Sequence, residues 1–525
     1  MSHSSSPRLL RIAAVAALIA SWTAAGNGQL RSSPSAKVLV QEAGLPAMDR
    51  GLRDQDAPRA PRSSADANRI RAERGDTLPY VRGSVIVKFK DEATRGGIST
   101  ATALVSGEIA DRTSWANFDI VDIPLDADPE VSAAALRARP DVEYAQPRYL
   151  NHAMSKPNDS LYVNQWNFPA IDMERAWDIQ PGATSNIIVA VLDSGMAFHT
   201  GTIRYNSRFS FRMTPFGPLD PPLGVVDVPF AAAPELGASG SSRFVSPRDF
   251  IWNDDLPVDL DSHGTHVAGT IGQLTNNGSG TAGMAYNVRL MPVKVIPGLW
   301  DDIFSSPFDG TDDVVARGVR YAADNGAKVI NMSIGREDGG AATVVTDAIR
   351  YAVGKGCFVA IASGNTRAEG NQPNRLAQLA PEIDGLIAVA GVGRSLDLAF
   401  YSTTGSYVEI AAPGGDQRQG GNSAGILQQT LDLDLLETYN RPVSQYGPPR
   451  ADSFGYYYFQ GTSMATPHVS GFAALLMQQG ITTPAAVEAA MKQFAIDKGI
   501  PGRDDSYGYG LINPRATLRG LGLAR

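Results

Sequence analysis

The chain has 525 residues, of which 43% are hydrophobic and 19% charged, with a formal net charge of -8. That composition supplies a large core and excludes a disordered polymer. The acidic balance leaves no basic footprint, which argues against nucleic acid or an anionic membrane surface as a partner.

The N-terminal stretch "MSHSSSPRLLRIAAVAALIASWTAAGNG" carries Arg8 and Arg11, an apolar run from Ile12 to Ala20, then small residues at Ala24 and Ala25. Residues 1–25 therefore read as a secretory signal peptide, too short to span a bilayer. Residues 26–77 are rich in Ser, Pro, Arg, Asp and Ala, as expected of a flexible linker. From residue 78 the character changes. "GSVIVKFK" and "FDIVDIP" alternate like strands, and "DPEVSAAALRARPDVEYAQPRY" reads as a helix closed by proline and followed by a strand. The expectation is a small α+β domain over 78–150, with the polar "NHAMSKPND" after it as an exposed cleavage junction.

Residues 155–516 alternate apolar strands with helical patterns. "NIIVAVLDSG", "AKVINMSIG", "GCFVAIASGN" and "GLIAVAGVG" read as strands buried on both faces. "DDVVARGVRYAADNG" and "AATVVTDAIRYAVGKG" separate them, and further helices are expected from Ser463 and from Pro484. The pattern implies an α/β domain with a mainly parallel sheet covered by helices on both faces. Ligand groups in such sheets gather at the C-terminal strand ends, where Asp193, Ser333 and Asn365 fall. Two weakly periodic stretches rich in Pro, Gly and aromatics, near 201–259 and 414–459, read as surface insertions. No later segment is apolar enough to cross a membrane, so an exported, soluble, monomeric product is expected. The lone cysteine, Cys357, excludes an intramolecular disulfide and reads as a buried structural thiol.

"GTSMATPHVSG" places Ser463 near the start of a helix. His468, five residues on, would lie about 7.5 Å along the axis and round the cylinder, out of reach of the serine hydroxyl. Pro467 is acceptable because it falls near the first turn. The chain has six histidines. His3 lies in the signal and His152 at the junction, leaving His199, His263 and His266. In "DSHGTHVAGTI" His263 stands at a helix start, able to project into a site, while His266 is one turn deeper, in the core. His199 has no motif around it. A histidine base needs a carboxylate to hold its tautomer, and Asp193 ends the apolar "VAVLDSG". A turn or helix-capping role for Asp193 stands beside that reading. The chain order Asp193, His263, Ser463 is that of the subtilisin triad.

At these residues the chain resembles the subtilisin-type serine endopeptidases, through "VAVLDSG", "HGTHVAGTI", "NMSIG", "ASGN", "YSTTGSYVEIAAPG" and "GTSMATPHVSG" in the family's order. The resemblance implies a three-layer fold and hydrolysis of peptide bonds through an acyl-enzyme, with no catalytic cofactor. Ser463 would be the nucleophile, His263 the base and Asp193 the orienting carboxylate. Asn365 would bind the oxyanion with the Ser463 N–H. Ser333, Ile334 and Gly335, with Ser363 and Gly364, would flank a protein or peptide substrate. The 78–150 unit would be the inhibitory propeptide, cut between Leu150 and Asn158. Arg336 replaces a glycine common in the family and reads as pointing to solvent. Asp159 in "KPNDSLYVNQW" and Asn277 in "LTNNGSGTAG" resemble the structural calcium site of thermitase-like members. Those members carry another aspartate shortly after the catalytic one, where this chain has "AFHTGT". The acidic segments "WNDDLPVDLD" and "DDIFSSPFDGTDD" read as solvated loops.

Two other functions compete. A secreted pseudoprotease acting as a scaffold is disfavoured by the presence of all three triad residues and Asn365. A metal hydrolase built on His263 and His266 is disfavoured by their i, i+3 spacing, since zinc ligands on a helix favour i, i+4. A histidine base of ordinary pKa would lose activity as pH falls through roughly 6 to 7.

Overall fold

The computed structural model describes residues 80–111, 117–149, 156–207, 213–214, 217–218, 222–438 and 447–520. The expected signal peptide, the linker and most of the cleavage junction lie outside them. The described chain forms two compact units, 80–149 and 156–520.

In the first unit, β1 (Tyr80–Phe89), β2 (Glu108–Asp111), β3 (Asp119–Asp122) and β4 (Val142–Tyr149) form an antiparallel sheet in the order β2-β3-β1-β4. Alternation in β1 drives Val85, Val87 and Phe89 inward against Val121 of β3 and Leu136 of helix α2 (Pro129–Arg137). Asp128 caps α2 by accepting the Glu130 N–H, with proline in the first turn. Helix α1 (Arg95–Leu104), which turns Ile98 and Ala101 to the core, and β2, all of whose residues are exposed, are additions to the expected elements.

The second unit is built on a seven-stranded parallel sheet. Its strands are β5 (Ile188–Asp193), β10 (Arg248–Asp249), β11 (Arg289–Lys294), β12 (Val329–Met332), β13 (Phe358–Ala362), β14 (Leu386–Val392) and β15 (Ile410–Pro413). They run in the order β10-β11-β5-β12-β13-β14-β15, and all pairs are parallel. Every residue of β12 through β15 is buried, so both faces are covered. The covering helices include α3 (His263–Gly272), α4 (Asp312–Asp324), α5 (Thr343–Gly354), α6 (Thr462–Gln478) and α7 (Pro484–Gln493). Helix α6 packs under β5, β12, β13, β14 and β15, and all its residues from Met464 to Met477 are buried. Cys357, just before β13, is buried, and its thiol donates to the Ala327 carbonyl.

Three expectations are corrected. Pro467 is the sixth residue of α6, beyond the first turn. Its ring removes the N–H that would bond the Ser463 carbonyl four residues back, and the Ser333 hydroxyl takes that carbonyl instead, at 2.8 Å. The second insertion is not a surface feature. Its hairpin of β16 (Ile426–Leu431) and β17 (Phe454–Phe459) buries every residue of β16. Gln428, Gln429 and Thr430 disguised that strand, yet each is satisfied: Gln428 by Thr281, Gln429 by the Glu235 N–H, and Thr430 by the Ser262 carbonyl. Nor are the acidic segments simply solvated. Asp259 is 1% exposed, and Asp301 forms a buried pair with Lys294 at 2.8 Å.

The first insertion folds as an antiparallel hairpin of β6 (Gly201–Ser207) and β9 (Gly224–Phe230), with short strands β7 (Met213–Thr214) and β8 (Gly217–Pro218) between them. Phe472 is fully buried within α6. Phe472→Ala is expected to lower unfolding stability by about 3–5 kcal/mol, read by denaturant unfolding.

Candidate active site

Asp193 ends β5 with its side chain fully buried. Its Oδ1 accepts the Nδ1–H of His263 at 2.7 Å and the Ser194 N–H at 2.8 Å. An isolated carboxylate at such an apolar strand end would be strongly destabilising, so the histidine partner accounts for its place there. Contact between the turn after β5 and the start of α3 requires Gly264, because a methyl group there would stand 2.1 Å from the Gly195 carbonyl.

The segment entering α3 hangs on Asp259. Its Oδ1 accepts the Ser194 hydroxyl and the N–H groups of Asp261 and Ser262, while Oδ2 accepts the N–H and hydroxyl of Thr265. These five bonds hold Ser262 at φ 88°, a left-handed conformation immediately before His263. Lys294, in register with Asp193 on the neighbouring strand, donates to the Val258 carbonyl and so ties the same segment to the sheet. Asp259 lay in a stretch read as solvated. The signal available was its spacing, since an aspartate a few residues before a helix can bond its first N–H groups.

The His263 side chain is 26% exposed. Partial burial disfavours its charged form, but Asp193, with Asp261 and Asp259 behind it, outweighs burial and raises its pKa to about 9. Asp261 is itself pushed up to about 6, first by burial and then by Asp259 and Asp193.

The remaining histidines take other work. In His468, Nδ1 lies 2.8 Å from the Met464 carbonyl and Nε2 2.8 Å from the Asn167 amide, which fixes a neutral ring, and burial pushes its pKa down to about 4. His266 Nε2 meets the Ile426 and Tyr457 carbonyls, its ring stacks on Phe459, and burial lowers it to about 3. His199 pairs with the exposed Ser239 hydroxyl.

Ser463 stands in the first turn of α6, where N–H groups have no intrahelical acceptor. Its hydroxyl donates to the Ser333 carbonyl at 3.1 Å. Asn365 Oδ1 accepts the N–H and hydroxyl of Thr462, both at 2.9 Å, which fixes the amide and leaves Nδ2 as its outward donor. Along the cleft, Ser333 and Ile334 are buried and Gly335 is exposed. Asn374 clamps this segment: Nδ2 donates to the Ile334 and Ala362 carbonyls and Oδ1 accepts the Arg336 N–H. No motif pointed to Asn374. Ser363 turns its hydroxyl to the Thr403 carbonyl, and Gly364 is half-buried with its N–H on Thr462. Arg336 does not point to solvent. It grips Asp312 through Nε and Nη2, at 3.0 and 2.9 Å, and donates to the Gly340 carbonyl.

Asp159 and Asn277 also come together. Asp159 is 4% exposed and accepts the N–H of Asn276 at 2.9 Å and of Asn277 at 3.4 Å. Among the described residues no three His, Cys, Asp or Glu side chains form a metal-holding group.

Residues 184–510 match the Subtilase family, and residues 66–148 match the Fervidolysin N-terminal prodomain. A thermophilic serine proteinase of a Bacillus species is 30% identical over 462 residues, 87% of this chain and 92% of that protein. Thermitase of Thermoactinomyces vulgaris is 30% identical over 358 residues, 68% of this chain and 97% of its own. A solved protease structure from Pseudoalteromonas arctica matches with a TM-score of 0.50 at 28% identity, covering 70% of this chain and 99% of that one. Fold and likeness together define a serine endopeptidase. Within that class the chain belongs to the subtilase family, with a propeptide of the fervidolysin kind before its protease domain.

Because the pKa of His263 is raised on folding, its contribution to stability is complete below the unfolded value near 6.5 and is lost as pH rises through about 9. Imidazole NMR on a Ser463→Ala protein is expected to show His263 titrating above pH 7, and lower in Asp261→Asn. An ordinary value in both proteins would refute the carboxylate effect.

Proposed function

We propose that the protein is a secreted endopeptidase, made as a self-processing zymogen, with Ser463 as nucleophile, His263 as base and Asp193 as orienting carboxylate. The observation that carries this reading is the 2.7 Å contact between His263 Nδ1 and the buried Asp193. With Nδ1–H committed to Asp193, Nε2 holds the lone pair that takes the serine proton. Ser463 Oγ leaves the Ser333 carbonyl and bonds the scissile carbon. His263 Nε2 then gives its proton to the leaving amine as the C–N bond breaks, and water repeats the sequence to release the acyl group. Asn365 Nδ2 and the Ser463 N–H donate to the developing oxyanion. Ser333 to Gly335 on one side and Ser363 and Gly364 on the other would hold an extended peptide as an added strand. The 78–150 propeptide would inhibit until cleavage between Leu150 and Asn158. Calcium would be structural, held by Asp159 and Asn277 with loop carbonyls, and takes no part in the reaction. Export rests on the N-terminal signal pattern, and among the described residues no helix is long and apolar enough to cross a membrane.

Intact mass tests the assignment: the wild type should lose its first 150 or so residues and Ser463→Ala should retain them. Equal processing of the two in a protease-free preparation would sink it. Asn365→Ala should lower kcat by about 10² to 10³, the loss measured for the corresponding donor in subtilisin, with a smaller effect on KM. The base must be neutral, so the raised pKa of His263 places the acid limb of kcat/KM above the 6 to 7 expected from an ordinary histidine, with activity still climbing toward pH 9.

A further inference from the structure

Glu235 lies in the turn after β9 and is 4% exposed. Its backbone is pinned on both sides: the N–H donates to Gln429 Oε1 at 3.0 Å, and the carbonyl accepts the Leu274 N–H at 2.7 Å. Leu274 opens the loop that contains Asn277. The Glu235 side chain turns into that loop. Oε1 accepts the Ser279 hydroxyl at 2.9 Å and the Tyr456 hydroxyl at 3.4 Å. Oε2 is buried and has no partner among the described residues. It presses on Gly280, where a methyl group would come within 2.7 Å of it.

Asp159, equally buried, is anchored to the same loop through the N–H groups of Asn276 and Asn277. Asp159 and Glu235 therefore bear on one short stretch of chain, Asn276 to Gly280. Two buried carboxylates bearing on one short loop, one with an orphaned oxygen, are costly unless a cation neutralises them. Two carboxylates bearing on a loop that carries Asn277 are the kind of oxygen donors a hard cation such as calcium takes.

No carboxylate stands within the first few residues after Asp193. The inserted β6–β9 hairpin accounts for the gap. Ala233 N–H donates to the Ala197 carbonyl at 2.8 Å and Ala232 N–H to the Thr200 hydroxyl at 3.1 Å, so the chain returns from the hairpin to the place it left. Glu235 is two residues beyond that return.

We propose that Glu235 supplies the second carboxylate of the calcium site formed by Asp159 and the loop around Asn277, in place of the aspartate missing after Asp193. The proposal rests on the calcium reading given above, and the test separates the two. Calcium titration calorimetry and thermal melts in calcium against EGTA are run on the full chain carrying Ser463→Ala, alone and with Glu235→Gln or Asp159→Asn added. The parent should bind calcium and melt higher with it. Each added substitution should weaken that binding at least tenfold and shrink the calcium-dependent rise in Tm. Binding unchanged in Glu235→Gln but lost in Asp159→Asn overturns the role of Glu235 and keeps the calcium site. No binding and no Tm shift in the parent overturns both. Should Glu235→Gln not fold, Glu235→Asp, which keeps the charge on a shorter arm, is read instead: several-fold weaker binding supports the proposal and unchanged binding overturns it.

Discussion

The second unit depends on the burial of one helix. Helix α6 packs under five of the seven sheet strands, and its side chains are apolar or internally bonded on every side. A helix hydrophobic all round has no solvent face to trade, so its position and rotation are fixed by the sheet. Ser463, at its open end, inherits that fixity. The proline that interrupts its ladder adds a further tie, since the carbonyl it frees belongs to Ser463 and is claimed by Ser333 at the end of β12. The peptide unit of Ser463 is thereby fastened to the adjacent strand end.

The histidine is positioned by different means. It stands on a short helix whose entry is organised by one buried carboxylate, Asp259, rather than by apolar packing. The dense hydrogen bonding around that group orders a polar turn that would otherwise be loose, and the glycine at 264 lets it press against the turn after β5. The same carboxylates that order the turn also charge its surroundings. Geometry and basicity of the ring are consequently not independent: a change that removes negative charge here also loosens the mount.

The sheet, the four apolar strands and the helices at Asp312, Thr343, Ser463 and Pro484 were legible because uniform apolar runs and clear helical periods leave few alternatives. The pairing of Asp193 with His263 and the separation of His468 from the Ser463 hydroxyl were legible too, the last from helix geometry alone. Long-range hydrogen bonding was not. Buried Gln428 and Thr430 look polar in sequence, and only their partners, far away in the chain, explain why β16 is interior. Asn374 and Thr462 escaped for the same reason, as each acts through bonds to segments that no local pattern predicts. Arg336 seemed free because its partner, Asp312, stands at the start of α4, 24 residues earlier in the chain.

The β6–β9 hairpin shows why the order of residues along a chain can mislead. Its ends are paired, Gly201 opposite Phe230, so the inserted stretch begins and finishes at one point in space. Lengthening a loop whose ends already meet adds little conformational entropy, about 0.6 kcal/mol for each doubling of its length, and the hairpin's own ladder offsets part of that. Growth at such a point leaves the surrounding scaffold undisturbed. The domain can therefore gain surface there while its interior contacts stay where a shorter chain would put them.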